Sequence, residues 1–170
     1  ETLVNSSFKK GDQRQATLDF AADGRILVTW ASTDHQNGWG VYAQRFNANG
    51  SRLGNEILVN QYLTGTQWHP SIASLPDSTF IVSWEGKSAT DPYGISYRQF
   101  NAAGTAITSE QLLNQTTLGT QRNAVLGVGQ TSFMVAWDGY GSGDYDGIYS
   151  RGAATSGPPI NQPPVTTTPA

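Results

Sequence analysis

Hydrophobic positions in this chain fall in short β-branched runs separated by Gly-, Asp- and Asn-bearing turns, and alternation within the runs is only partial. The strongest runs end in Val-Thr-Trp30, Val-Ser-Trp84 and Val-Ala-Trp137, so the three tryptophans stand 54 and 53 residues apart. A glycine follows each tryptophan at ten residues (Gly40, Gly94, Gly147) and another at twenty (Gly50, Gly104, Gly157). Upstream, Gly11-Asp12-Gln13, Gly65-Thr66-Gln67 and Gly119-Thr120-Gln121 keep the same register. Such coincidences at one period define three copies of a unit of about 54 residues, a length typical of stacked or ring-like repeats.

Each unit predicts four strands. The first covers 16–22, 71–75 and 124–128, and the second 26–30, 80–84 and 133–137. After a loop of about nine residues, the third covers 41–46, 95–100 and 148–151. A turn at Asn49-Gly50 or Ala103-Gly104 leads to the fourth, 56–60 and 111–114. The third unit lacks a fourth strand, yet Glu1-Thr2-Leu3-Val4-Asn5 matches Glu56-Ile57-Leu58-Val59-Asn60 almost letter for letter. This predicts an all-β, closed pseudo-three-fold fold of the β-trefoil or β-prism kind, its N-terminal strand closing the third repeat so that no sheet edge stays bare. The alternative is a set of propeller-type blades completed by dimerisation. Residues 1–157 form the repeat domain, with repeats of about 6–60, 61–114 and 115–157 plus strand 1–5. Residues 158–170, rich in Pro and Thr, read as an extended linker to a neighbouring domain of a longer chain.

Composition narrows the function. The 170 residues are 37% hydrophobic and only 14% charged, too poor in Lys, Glu and Leu for a helical bundle. No apolar stretch is long enough to span a membrane as a helix. A net charge of −3, with ten basic residues scattered singly, argues against a nucleic-acid partner. The absence of cysteine removes thiolate metal sites and thiol nucleophiles.

In a meander the longer connections share one rim, where function usually resides. The loops after the second strands carry Asp34 with Trp39, Asp91 with Tyr93, and Asp144 with Tyr145. The connections before the first strands bring Trp68 to the same rim, where the other copies have Arg14 and Arg122. Flat rings beside carboxylates, amides and guanidiniums suit sugars, whose C–H face stacks on an aromatic and whose hydroxyls pair with polar groups. Up to three equivalent sites are expected. Trp30, Trp84 and Trp137 are expected in the core, and Gln13, Gln67 and Gln121 in satisfying backbone groups of neighbouring turns. Asp138, Asp144 and Asp146 could offer oxygens to calcium, but the pattern is not repeated in the other copies; no cofactor is otherwise implied. Known catalytic motifs are missing, and three-fold repetition suits repeated binding, so the sequence predicts no enzyme.

The strings GWGVYAQRFNANG (38–50) and FIVSWEGKSATDPYGISYRQFNAAG (80–104) resemble a repeat type of the form W-x-S…G-V-Y-x-Q-R-F, found in large exported bacterial proteins, both adhesins and polysaccharide-degrading enzymes. The resemblance spans all three copies and fades in the third, where Arg151-Gly152-Ala153 replaces the Gln-Arg-Phe run. It implies a secreted or cell-surface bacterial module. Together with the rim chemistry, the expectation is a non-catalytic carbohydrate-binding module for a polysaccharide, the alternative being a structural or protein-binding spacer of an adhesin.

Overall fold

The computed structural model describes residues 1–35 and 38–155, with the side chains at 34 and 35 left aside. Asp34 as a site residue and the linker 158–170 therefore lie outside the described residues. Eleven strands and no helix occur among them. The first unit contains β1 (Gln13–Phe20), β2 (Ile26–His35), β3 (Gly38–Phe46) and β4 (Arg52–Leu58); the second β5 (Gly65–Ser74), β6 (Phe80–Gly86), β7 (Gly94–Phe100) and β8 (Gln111–Leu112); the third β9 (Gln121–Val128), β10 (Ser132–Gly141) and β11 (Asp144–Ala154). Strands adjacent in sequence pair antiparallel within each unit, so each is an up-and-down meander of the propeller-blade kind. One short parallel pairing, Gly38 with Gly65 and Trp39 with Thr66, joins β3 to β5.

The sheets stack face to face, which explains the weak alternation. A strand covered on both faces reads as a continuous apolar run; the first five residues of β6 are all buried. Between units 1 and 2, Leu27, Val41, Ala43 and Val59 meet Ile72, Phe80, Val82, Trp84 and Phe100. Between units 2 and 3 the equivalent positions repeat, with Ile81, Ile95, Tyr97 and Leu113 against Phe133, Val135, Trp137 and Ala153. All three repeated tryptophans are buried.

An asparagine fastens the end of each complete fourth strand. Asn60 Oδ1 accepts the Val41 N–H at 2.8 Å, and its Nδ2 donates to the Tyr62 carbonyl at 2.8 Å. Asn114 repeats both bonds, to the Ile95 N–H at 2.7 Å and the Thr116 carbonyl at 2.8 Å.

Two expectations need correction. The closed trefoil or prism does not form, because the sheets are stacked in an open series: no strand of unit 1 packs broadly on unit 3 among the described residues. Residues 1–5 form no strand and do not complete the third repeat. They lie on unit 1, where Arg52 Nη1 donates to the Val4 carbonyl at 2.7 Å and the Glu56 carboxylate accepts the Ser7 N–H at 2.7 Å. Among the described residues the third sheet has three strands, with β11 at its edge. The second difference concerns the nine-residue loops. Unit 2 keeps a long connection, the seven residues 87–93; in unit 3, β10 and β11 continue to a tight turn at 142–143, where Gly143 has φ 91°. Asp, Gly, Ser and Tyr fill those extensions, so no β-branched run marks them as strand.

Burial of Trp84 at the first junction predicts that Trp84→Ala lowers unfolding free energy by about 3–5 kcal/mol in urea titrations. Tyr145→Ala, at an exposed position, should stay within about 0.5 kcal/mol of the parent.

Candidate functional site

The first strand of every unit is broken near its start by a bulge that no apolar pattern announces. The ladder shifts between Arg14 and Thr17, between Trp68 and Ser71, and in β9 opposite Ala136 and Asp138. At each bulge a non-glycine residue is left-handed: Gln15 (φ 57°), His69 (φ 44°) and Asn123 (φ 56°). Such backbones are disfavoured and need surrounding support. That support crosses the unit junctions. The His69 N–H donates to Gln15 Oε1 at 2.9 Å, and the Asn123 N–H donates to Glu85 Oε2 at 2.7 Å. Glu85 also contacts His69 Nδ1, and Asn123 Nδ2 donates to Asp138 Oδ1 at 2.8 Å. A bulge re-aims nearby side chains. The residues preceding these three are Arg14, Trp68 and Arg122, the set that the sequence places on the rim.

At the junction of units 1 and 2 the backbones come very close. A Cβ on Gly38 would stand 2.0 Å from the Gly65 carbonyl oxygen, so only glycine fits at 38. This approach sets Trp39 against Trp68, with ring centroids 4.5 Å apart and planes at 31°. The Arg14 guanidinium lies 5.7 Å from the Trp39 ring centroid. Trp68 then faces a recess of about 520 Å³ at the junction of units 2 and 3, lined also by Thr66, Glu85, Lys87, Tyr93 and Thr120. Tyr93 is 58% exposed, and its loop is anchored across the junction because the Gln121 N–H donates to the Tyr93 carbonyl at 2.9 Å.

The remaining sequence-derived candidates divide. Asp91 is 1% exposed; its carboxylate accepts Asn114 Nδ2 at 2.7 Å and the Tyr93 N–H at 2.9 Å, so it holds the loop from within and does not face solvent. Asp144 accepts the Asp146 N–H at 3.0 Å, as a turn residue does, while Tyr145 is exposed and packs on Tyr140 with centroids 4.9 Å apart. Arg122 Nε donates to Asp138 Oδ2 at 2.8 Å, and its Nη2 lies 3.7 Å from Asp146. The Arg122 hydrogen bond holds the Asp138 carboxyl below the usual carboxylate range, assisted by Asn123 and opposed by partial desolvation. A guanidinium thus occupies the place between Asp138 and Asp146 considered for calcium, and among the described residues no group of three or more acidic or histidine side chains is arranged to hold a metal. The three rim positions are not equivalent: one is Arg on Trp, one Trp beside Tyr, one Arg between two Asp.

The repeated glutamines are structural. Gln67 Nε2 donates to the Thr64 and Lys87 carbonyls, and Gln121 Nε2 to those of Leu118 and Tyr140. Sequence reasoning missed Glu85 and Lys87. The available signal was that Glu85 directly follows Trp84, as Asp138 follows Trp137, a charged residue at the end of an otherwise apolar strand.

No family model and no curated protein matches the chain. Solved structures do resemble it in fold. An endo-arabinase from Bacteroides thetaiotaomicron superposes with a TM-score of 0.56 at 15% identity, over 88% of this chain and 60% of that one. A thermostable family-43 glycoside hydrolase gives 0.56 at 12% identity, over 95% and 62%. An α-L-arabinofuranosidase from Podospora anserina, solved with cellotriose, gives 0.51 at 11% identity, over 91% and 49%. The chain therefore spans three-fifths of the first two and half of the third. At such identities the likeness establishes fold. It also corrects the expectation that repetition excludes an enzyme, since the similar structures are glycoside hydrolases.

The Arg122 bond sets the sign of one pH effect. A depressed carboxyl contributes stability above its unfolded value and loses it as pH falls through the folded one. Arg122→Ala should therefore move the Asp138 titration upward, towards ordinary aspartate, in side-chain carboxyl NMR. An unmoved midpoint would contradict the assignment.

Proposed function

We propose that the rim recess between units 2 and 3, extended by the Trp39–Trp68 pair, binds a saccharide chain. The observation carrying this reading is that Trp68 and Tyr93 line one open recess together with Glu85, Lys87, Thr66 and Thr120. Two rings can cover the apolar faces of sugar units, while a carboxylate, an ammonium and two hydroxyls pair with their hydroxyl groups. Trp39 and Arg14 prolong the ring surface towards unit 1, which suits a polymer better than a single sugar. Supporting the carbohydrate class, the structures similar in fold act on glycosides, two of them on arabinose-containing ones by name. Arabinan and arabinoxylan are therefore the first ligands to test. In an exported bacterial protein such a groove would hold the polypeptide on its polysaccharide.

Affinity electrophoresis in gels containing arabinan, arabinoxylan or β-glucan provides the test. The chain should be retarded by at least one of them, and Trp68→Ala or Tyr93→Ala should weaken the interaction about tenfold or more, in line with the loss of one aromatic anchor. Unchanged mobility in all three gels, or retardation indifferent to both substitutions, would contradict the proposal.

A further inference from the structure

The two end faces of the stack match the faces that its own junctions bury. On unit 3, Ile148 is 79% exposed and Met134 55%. Their equivalents, Val41 and Ile95 for the first, Leu27 and Ile81 for the second, are buried in the two junction cores. On unit 1, Leu18 is exposed where its equivalent Ile72 is buried. Val28 and Trp30 line a recess of about 260 Å³ there, together with Val4 and Asn5.

Residues 4–8 are also posed as the end of a fourth strand belonging to a sheet before unit 1. The Ser7 and Phe8 N–H groups donate to the Glu56 carboxylate, as the Gln61 and Tyr62 N–H groups donate to Glu110. An arginine holds the Val4 carbonyl (Arg52, 2.7 Å), as arginines hold those of Val59 (Arg98, 3.0 Å) and Leu113 (Arg151, 2.6 Å). Asn5 Nδ2 donates to the Phe8 carbonyl at 3.1 Å, as Asn60 and Asn114 donate to their own loops. The other half of the pattern is a third strand to pair with. Val59 and Leu113 donate their N–H to the Val41 and Ile95 carbonyls at 2.8 and 2.7 Å. The equivalent of those acceptors is Ile148, on the side of β11 that pairs with no strand among the described residues.

We propose that two copies of this chain assemble head to tail. Residues 2–5 of one pair with β11 of the other as its missing fourth strand, and the exposed face of unit 3 stacks on the exposed face of unit 1. Leu3 then opposes Tyr149 of the partner subunit, as Leu58 opposes Tyr42 and Leu112 opposes Ser96. Asn5 Oδ1 accepts the N–H of Ile148 of the partner subunit. A second copy is the partner favoured by the structure because both halves of the contact repeat surfaces that already pack at the internal junctions. The contact is heterologous, so it closes into a ring where the rotation permits and propagates where it does not. It pairs a sheet edge that no strand among the described residues covers. This inference is independent of the saccharide reading.

The chain has no cysteine, so a single introduced pair reports the contact. Directly opposed residues on antiparallel neighbours lie within disulfide reach. Under mild oxidation, the Leu3→Cys, Tyr149→Cys double variant should form covalent species of two or more copies on a non-reducing gel. Sedimentation velocity of the unaltered chain should give at least twice the mass of one 18.3 kDa copy. Ile148→Glu, at a position exposed in the single chain, should keep the circular dichroism spectrum and return the mass to one copy. A one-copy mass at every concentration, or a disulfide formed within one copy, would overturn the proposal.

Discussion

Face-to-face burial between consecutive sheets is the interaction on which the rest depends. A four-stranded meander with apolar side chains on its faces is not stable alone and must be covered by a neighbour; unit 2 is covered on both faces. Units 1 and 2 cover each other through Val41, Val59 and Phe80, and units 2 and 3 through Ile95, Leu113 and Phe133. Val59 and Leu113, the residues that directly follow β4 and β8, are fully buried, and the Asn60 and Asn114 clasps fix those strands in register. A short fourth strand such as β8, two residues long, suffices because its neighbours in sequence are held by side-chain bonds and burial as well as by the ladder.

The same junctions create the rim. The left-handed backbones of Gln15, His69 and Asn123 each carry a cost of about 1–3 kcal/mol, offset in part by hydrogen bonds across the junctions. What accompanies the bulges is placement: next to each left-handed residue, Trp68 meets Trp39 of unit 1, while Arg14 reaches Asp12 and Trp39, and Arg122 reaches Asp138 and Asp146, within their own units. The close backbone approach at Gly38 and Gly65 then seats Trp39 on Trp68. Chemical individuality arises because one repeated geometry carries different residues. Only at the junction of units 2 and 3 does a bulge tryptophan face a long loop bearing an exposed tyrosine.

Much of this was legible in the sequence, and the failures have physical causes. The repeat and the strand cores could be read because buried β-branched runs and turn glycines recur at one spacing. The buried tryptophans and the amide-donating glutamines were recognisable because each occupies one place in three copies. Asp91 misled because a loop aspartate followed by an aromatic looks like a site, and only the fold shows Asn114 capturing its carboxylate. Closure misled for a different reason. The match between residues 1–5 and 56–60 reflects shared anchoring bonds, since Arg52 and Glu56 hold residues 4–8 as Arg98 and Glu110 hold 59–62, but no strand forms at 1–5. The bulges were invisible because Gln, His and Asn share no residue signature for a left-handed backbone, and Glu85 is tied to the rim through its bonds to two of them, His69 and Asn123.

Stacking of units 1 and 2 brings two tryptophans, distant in sequence, into one ring surface beside the recess. Nuclear Overhauser spectroscopy on the free chain tests it most directly. Strong cross-peaks are expected between the ring protons of Trp39 and Trp68, whose centroids lie 4.5 Å apart. Two tryptophan spin systems without mutual cross-peaks, in a chain whose Trp84 ring still contacts Val41 and Val82, would contradict it.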